Sequence, residues 1–331
     1  MSGPVLSVRD LSVAHAARGE TLTIIDRVSF ELGRGEILGI VGESGSGKSM
    51  TCRALIRLLP SSQLSVSGGT ARLADGRDLM ALPERDLQKV RGRSIGMIFQ
   101  NPASHLDPVM SIGRQIAESV QHHQGIGRRE AWQKALEVLR QVGIPDPESR
   151  AHAYAHEFSG GMRQRAMIAV ALACDPEILI ADEPTTALDV TVQAQILRLL
   201  LRLRDERGLS IIFITHDLGV VYQLCDKVAV MYGGRVCEYG PKDEVIRNPR
   251  HHYTAGLVAC QPVSEGGAGH VHTIPGQPPT VGDMPSGCRF HPRCPAADAL
   301  CSREEPPLVE AEPGHARACH HPVGRMAEVP G

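Results

Sequence analysis

The chain has 331 residues and a net charge of −2, with 35 lysines and arginines against 37 aspartates and glutamates. This length gives room for one large or two modest domains with hydrophobic cores, and the balanced charge gives no positive field that would hold nucleic acid. Five of the nine cysteines are scattered, and the start lacks a basic segment followed by an apolar run, so we expect a cytosolic chain with reduced thiols. The longest apolar runs fall far short of the ~20 residues of a membrane helix, so any membrane role is expected to be peripheral.

The predicted elements alternate between strands and helices. Paired strands are expected first, in VLSVRDLSV and TLTIIDRVSFEL. Short apolar runs rich in β-branched residues then predict buried parallel strands; they are EILGIV (36–41), SIGMIF (94–99), EILIAD (177–182) and SIIFIT (210–215). Apolar residues three and four apart predict helices over 128–142 and 191–208. KVAVMYGGRVCEYG (227–240) predicts a hairpin that turns at Gly233-Gly234. The main domain is therefore predicted to be α/β.

The composition changes after about residue 260. Residues 261–287 are rich in proline and glycine and have no periodicity, which predicts a linker or an irregular extension.

A phosphate-binding loop is predicted directly after the strand EILGIV. GESGSGKS fits the P-loop pattern, and a helix-compatible segment follows it. Its glycines let the backbone amides and the helix N-terminus point at phosphate oxygens. Lys48 is expected to neutralise the β- and γ-phosphates and Ser49 to ligate Mg²⁺. The predicted binding residues here are Gly42, Glu43, Ser44, Gly45, Ser46, Gly47, Lys48, Ser49 and Met50. A glycine-rich turn with an incidental lysine is the alternative.

Two later strands end in residues with the chemistry of a hydrolase. EILIAD ends in Asp182, which is expected to hold Mg²⁺, and the next residue, Glu183, is suited to deprotonate an attacking water. SIIFIT is followed by His216, which can hydrogen-bond the γ-phosphate and that water. The alternatives are a solvated acidic pair and a structural histidine.

The segment FSGGMRQR (158–165) resembles the signature loop of the nucleotide-binding subunits of ATP-binding cassette (ABC) transporters. Phe158 and Met162 stand where the usual form of the loop has leucine and glutamine, and this variant is typical of peptide-importer ATPases. IFQNP and ALD are similar to the Q-loop and D-loop of the family, so Gln100, Asp189 and the switch histidine His216 are matched as well.

The resemblance covers essentially the whole chain and implies a fold. It implies a P-loop NTPase (RecA-like) core with an N-terminal antiparallel β subdomain and a helical subdomain at about 104–170. The nucleotide-binding domain would span 1–260, and an irregular, cysteine-containing extension would span 261–331. The family also implies that Ser159, Gly160 and Gly161 contact the γ-phosphate of ATP on an opposite subunit. Two chains would then meet head to tail, closing on ATP and opening after hydrolysis.

Further implied roles concern metal, adenine and partners. Ser49, Gln100 and Asp182 would bind Mg²⁺, and movement of Gln100 would couple hydrolysis to a membrane pore. His15 is the candidate to stack on adenine; if nothing stacks, GTP should be tolerated.

The implied partners are two transmembrane permease subunits, a second ATPase subunit that is a paralogue or a copy, and, indirectly, an extracytoplasmic binding protein. No nucleic acid is expected, and the implied location is peripheral, on the cytoplasmic face of the inner membrane.

The implied function is ATP-driven uptake of oligopeptides or dipeptides. The same ATPase could serve transport of nickel, sugar, an antimicrobial peptide or another small solute. A soluble ATPase of DNA repair or translation would predict tandem cassettes, long coiled-coil insertions or a basic face, and none of these is visible in the sequence. A redox-sensing regulator built on the C-terminal cysteines would need neither Glu183 nor Gln100, and both residues are present.

Four cysteines cluster near the end of the chain: Cys288, Cys294, Cys301 and Cys319. Structural zinc sites usually pair ligands two to four residues apart, and these spacings are wider. Four thiolates suit a 4Fe-4S cluster, and several peptide-importer ATPases carry a similar cysteine pattern with such a cluster known in some. Zinc, with help from His291, His315 or His320, and unliganded or disulfide-bonded thiols remain alternatives. As a first hypothesis, a bound cluster would stabilise the extension structurally. The alternative is that the redox state of the cluster controls transport.

Overall fold

A computed structural model describes residues 3–17, 20–261 and 273–324. Most of the first half of the predicted linker, residues 262–272, lies outside the described residues. The described strands are β1 (Leu6–Ala17), β2 (Glu20–Leu32), β3 (Ile37–Val41), β4 (Leu64–Leu73), β5 (Ile95–Ile98), β6 (Ile178–Asp182), β7 (Ser210–Thr215), β8 (Lys227–Tyr232), β9 (Arg235–Pro241), β10 (Val309–Glu312) and β11 (His315–Arg317).

The described helices include several of fewer than two turns. They are α1 (Lys48–Leu55), α2 (Glu84–Val90), α3 (Pro102–His105), α4 (Ile112–Gln124), α5 (Arg128–Gln141), α6 (Pro147–Arg150), α7 (Gly160–Leu172), α8 (Val190–Arg207), α9 (Leu218–Leu224), α10 (Lys242–Arg247), α11 (His252–Ala259) and α12 (Ala299–Arg303). In the described ranges, none of these helices combines the length and apolar composition of a membrane span.

The chain divides into two units, and each is described by itself. The first unit contains the described residues of 1–5, 33–36 and 82–214, and the second contains those of 6–32, 37–81 and 215–331. The predicted boundary near residue 260 is a different division of the chain, and it stays a prediction.

The first unit joins parallel strands to a group of helices. β6 pairs in parallel with β5 and with β7. All five residues of β6 and all six of β7 are buried, as expected for apolar strands covered on both faces. Helices α4, α5 and α7 pack against one another in the segment where the sequence predicts a helical subdomain. The helices predicted over 128–142 and 191–208 are confirmed as α5 and α8.

The second unit contains both antiparallel and parallel pairing. β1 lies between β2 and β4 in an antiparallel three-stranded sheet, which confirms the predicted N-terminal strand pair. β3 pairs in parallel with β8, and β8 forms the predicted hairpin with β9 around Gly233-Gly234. The C-terminal extension continues this sheet, because β11 pairs with β9 and β10 pairs with β11. The described part of the extension is thus partly regular.

Candidate functional site

The predicted phosphate loop lies between β3 and α1, which is the context that its motif requires. Gly42 has a φ of 151°, and a Cβ there would lie 2.1 Å from the carbonyl oxygen of Met231. Gly47 has a φ of 101°, and its Cβ would lie 2.5 Å from the side chain of Ile25. Both positions therefore need glycine, for backbone conformation and for space. The loop is shaped as a phosphate cradle would be.

Lys48 is held against the backbone of the loop. Its side chain is buried, and Nζ donates to the carbonyl oxygens of Gly42 at 2.7 Å and Glu43 at 2.9 Å. Ser44 and Gly45 form the exposed tip of the loop, while Ser49 and Met50 lie partly buried in the first turn of α1. This position of the ammonium group over the glycine loop is compatible with the predicted role of Lys48, which is to neutralise the phosphates.

The acidic pair at the end of β6 lies in the first unit. Asp182 is fully buried. Glu183 follows in the left-handed region with a φ of 46°, where a non-glycine residue is under backbone strain. Its Oε2 accepts hydrogen bonds from Nε2 of Gln100 at 3.0 Å and from Oγ1 of Thr186 at 2.8 Å. The structure thus brings two predicted catalytic residues into contact and adds Thr186, a partner that the sequence analysis missed.

The signature segment forms the start of α7, also in the first unit. Ser159 caps this helix by accepting a hydrogen bond from the amide of Met162 at 3.3 Å. Ser159 and Gly160 are exposed. A Cβ on Gly161 would lie 2.8 Å from Val192 of α8, so only glycine allows this close approach of the two helices. An exposed helix N-terminus with glycines is suited to bind an anion.

Three further predicted residues lie at ordinary structural positions. Asp189 caps α8, where its Oδ1 accepts from the amide of Val192 at 2.9 Å. His216 is exposed directly after β7 and belongs to the second unit. His15 lies on β1, and its Nε2 is 3.1 Å from Oε1 of Gln63. The catalytic and adenine roles of these residues stay predictions.

The four C-terminal cysteines converge on one small pocket in the second unit. Its lining includes all four cysteines together with Phe290 and the histidines His251, His252, His291, His320 and His321. His315 is not part of this lining; its Nε2 contacts the buried carboxylate of Glu238 at 2.7 Å. The zinc alternative therefore keeps His291 and His320 as candidates, while His315 serves as a structural residue.

The thiols of this pocket influence one another. Burial, joined by the neighbouring thiols of Cys294 and Cys301, raises the pKa of Cys288. Burial and its three cysteine neighbours raise the pKa of Cys319 to about 11. In the described residues, the potential ligand atoms that lie within 4.8 Å of one another in groups of three or more are those of Asp298, Cys301 and His321 and those of Glu244, Glu312 and His315. Neither group contains two of the clustered cysteines. Thiolates that share one zinc ion lie at about 2.3 Å from the metal, so their sulfur atoms must be closer to one another than this 4.8 Å limit.

Comparison with known proteins identifies the family. Residues 25–186 match the family model "ABC transporter", and residues 237–301 match "Oligopeptide/dipeptide transporter, C-terminal region". The oligopeptide transport ATP-binding protein OppD of Salmonella typhimurium is 48% identical over 97% of this chain and 95% of its own length. OppD of Bacillus subtilis is 47% identical over 94% of this chain and 87% of its own length.

A solved structure is similar in fold as well as in sequence. The dimeric post-hydrolysis state of the ATP-binding cassette MJ0796 bound to ADP and phosphate has a TM-score of 0.64 and 26% identity, and the match covers 72% of this chain and 98% of that one. This confirms the predicted P-loop NTPase fold. The chain belongs to the ATP-binding proteins of the ABC transporter family. Within that family, its C-terminal region and its relatives place it among those of the oligopeptide/dipeptide type.

Proposed function

We propose that this chain is the ATP-hydrolysing subunit of an ABC importer that takes up peptides. The observation that carries the proposal is its likeness to oligopeptide transport ATP-binding proteins over nearly its whole length, including the C-terminal region. A shared ATPase core alone would suit many cargoes, but the C-terminal region also matches the model described as the C-terminal region of oligopeptide/dipeptide transporters. The most direct alternative is the same ATPase serving nickel or another small solute.

ATP binding follows from the phosphate loop. The loop amides and Lys48 hold the phosphates, and Ser49 and Asp182 are the residues that would hold Mg²⁺. Bound Mg²⁺ would neutralise charge on the β- and γ-phosphates. The buried carboxylate of Asp182 and the partly buried hydroxyl of Ser49 are the oxygen donors that this ion prefers.

Hydrolysis is assigned to Glu183. Its carboxylate is oriented by hydrogen bonds from Gln100 and Thr186 and would take a proton from the attacking water. His216 would hydrogen-bond the γ-phosphate. Gln100, as a further Mg²⁺ ligand, would couple hydrolysis to the membrane pore through its movement.

The complete site is proposed to need two subunits. Ser159, Gly160 and Gly161 at the exposed start of α7 would bind the γ-phosphate held by the loop of an opposite subunit, so ATP closes a head-to-tail dimer and hydrolysis reopens it. Asp189 would lie at the same interface. The second subunit is a paralogue or a copy of this chain, and both dock on two transmembrane permease subunits at the cytoplasmic face of the inner membrane.

The C-terminal cysteines are proposed to hold a 4Fe-4S cluster. Cys288, Cys294, Cys301 and Cys319 supply the four thiols of such a site and line one pocket. A bound cluster would stabilise the extension by cross-linking a proline-rich segment that has too few apolar residues to form its own core. Anaerobically purified chain should contain about four irons and four acid-labile sulfides, and Cys301→Ser should lose them. One zinc per chain without sulfide would contradict the cluster.

The function is tested by transport. The chain is purified from its native membranes with its permease and ATPase partners and is placed in proteoliposomes with the binding protein. Peptide uptake should require ATP, and the binding protein loaded with peptide should stimulate hydrolysis. Lys48→Ala is the matched control and should abolish both. Uptake of ⁶³Ni²⁺ without uptake of peptide would favour the nickel alternative, and ATP hydrolysis that ignores membrane partners would favour a soluble ATPase.

A further inference from the structure

A short turn of the C-terminal extension places one arginine in the interior of the second unit. The turn His291–Arg293 follows Cys288 and ends at Cys294, and its backbone is fixed by hydrogen bonds from the amide of Arg293 to Phe290 at 3.0 Å and from Cys294 to His291 at 3.2 Å. The side chain of Arg293 is only 4% exposed. A buried arginine requires compensation for its charge.

The partner of Arg293 is Glu43, the second residue of the phosphate loop. Nη1 donates to Oε2 of Glu43 at 2.6 Å and Nη2 donates to Oε1 at 3.0 Å, which is a bidentate pair. Nε donates to the carbonyl oxygen of Pro275 at 2.8 Å. The guanidinium also lies 5.7 Å from the ring centre of Tyr232 and 5.9 Å from that of Phe290. These contacts leave the guanidinium little freedom to move.

Glu43 is held at its backbone as well. Its amide donates to the hydroxyl oxygen of Tyr253 at 2.7 Å, and its carbonyl oxygen accepts from Nζ of Lys48 at 2.9 Å. Tyr253 is fully buried and packs against Phe290 of the extension, with ring centres 5.4 Å apart. Two of the groups that fix Glu43, those of Tyr253 and Arg293, therefore come from residues after 250, far from the loop in sequence.

The charge of Glu43 gives this arrangement a consequence for nucleotide binding. A carboxylate in a phosphate loop repels a polyphosphate, and it is also a potential partner for Lys48, whose ammonium the phosphates need. The bidentate contact with Arg293 neutralises the carboxylate and turns it towards the extension. If the contact were lost, the carboxylate of Glu43 could compete with ATP for the lysine.

We infer that Arg293 is a positioning residue for nucleotide binding, which makes the C-terminal extension a part of the nucleotide site. The inference rests on the proposed function, because it assumes that the loop binds ATP. It assigns to the extension a direct electrostatic role that is separate from whatever the four cysteines bind. The turn between Cys288 and Cys294 would then connect the state of the cysteine pocket to ATP affinity.

The test is a double-mutant cycle in the full-length chain. Arg293→Gln should weaken ATP binding about tenfold, since it leaves a carboxylate unpaired beside the phosphates, and should raise KM with little change in kcat. Arg293→Gln combined with Glu43→Gln should restore ATP affinity to within about twofold of Glu43→Gln alone. Arg293→Lys, which keeps the charge but loses the bidentate geometry, should give an intermediate affinity.

Controls separate this role from a general loss of structure. Arg250→Gln is the matched control, because Arg250 also ties the extension to the rest of the second unit, through Glu312 and the carbonyl of Val323, and contacts no residue of the loop by these bonds. It should leave ATP affinity unchanged. Adenosine, which lacks phosphates, should bind the Arg293→Gln and unmodified chains equally. Metal content is measured for each variant, so that a change in ATP affinity can be separated from a change in what the four cysteines bind.

Each result has one meaning. Unchanged ATP affinity in Arg293→Gln would overturn the inference, and so would a loss of affinity that the second substitution fails to rescue. If the unmodified chain binds no ATP, or if Lys48→Ala binds it normally, the proposed function fails instead.

Discussion

Replacing Glu238 with alanine should release the extension from the sheet. Glu238 lies on β9 and is fully buried. Its carboxylate accepts hydrogen bonds from the amide of Arg250 at 2.7 Å, from the amide of His251 at 3.0 Å and from Nε2 of His315 at 2.7 Å. The first two donors begin the segment that leads into α11, and the third belongs to β11.

The magnitude follows from the three donors. A buried donor that loses its acceptor costs about 1–3 kcal/mol, and the part-buried amide of Arg250 can recover part of this from water. We therefore expect Glu238→Ala to lower the free energy of local opening by about 3–5 kcal/mol. His315→Ala, which leaves two of the three bonds in place, should cost less, about 1–3 kcal/mol.

Hydrogen exchange measures this effect where it should appear. The amide of Ala318 donates to the carbonyl oxygen of Cys237 at 2.8 Å and reports on the junction of the extension with β9. Glu206→Ala, at an exposed position of α8, is the control and should change exchange in this segment by no more than about 0.5 kcal/mol. A change below about 1 kcal/mol for Glu238→Ala would refute the reasoning, because it would mean that the three donors find other partners.

Three other substitutions test the ATPase. Glu183→Gln should keep ATP affinity but lower turnover in an ATPase assay by about 10²-fold or more, because the residue that takes the proton from water is lost. Size-exclusion chromatography should find an ATP-dependent closed dimer of this variant, and normal turnover would contradict the assignment. Gly42→Ala should abolish ATP binding measured by calorimetry, since its Cβ would lie 2.1 Å from the oxygen of Met231; retained affinity would mean that the loop can shift. Gly161→Val should leave nucleotide binding intact and prevent dimer closure, because the side chain would collide with Val192; a normal ATP-dependent dimer would argue against α7 at the interface.

Local patterns were sufficient for the elements that carry the nucleotide chemistry. The apolar runs predict β3, β5, β6 and β7 to within one residue at each end. Glycines flanked by a strand and a helix define the phosphate loop, since both requirements act over a few neighbouring residues. Ser159 could be recognised as a cap for the same reason, because its partner is the amide of Met162, three residues later.

Contacts between distant segments could not be predicted in this way. Arg293 and Glu43 are 250 residues apart, and Glu238 and His315 are 77 apart. Nothing in the sequence indicates that these residues pair with one another, since burial and pairing arise only when the extension folds onto the sheet. The sequence indicated the four cysteines by their clustering, but not the arginine between them.

The pairing of β11 with β9 also affects which fragments of the chain can exist on their own. β9 is bonded to β8 on one side and to β11 on the other. A chain cut at residue 260 would leave the second side of β9 as a bare edge, with its backbone donors and acceptors open to pairing with other molecules. Buried residues at this edge, such as Val236 and Cys237, would make that edge apolar. The extension thus shields the ATPase from aggregation, and a shortened cassette would be expected to self-associate rather than remain a soluble monomer.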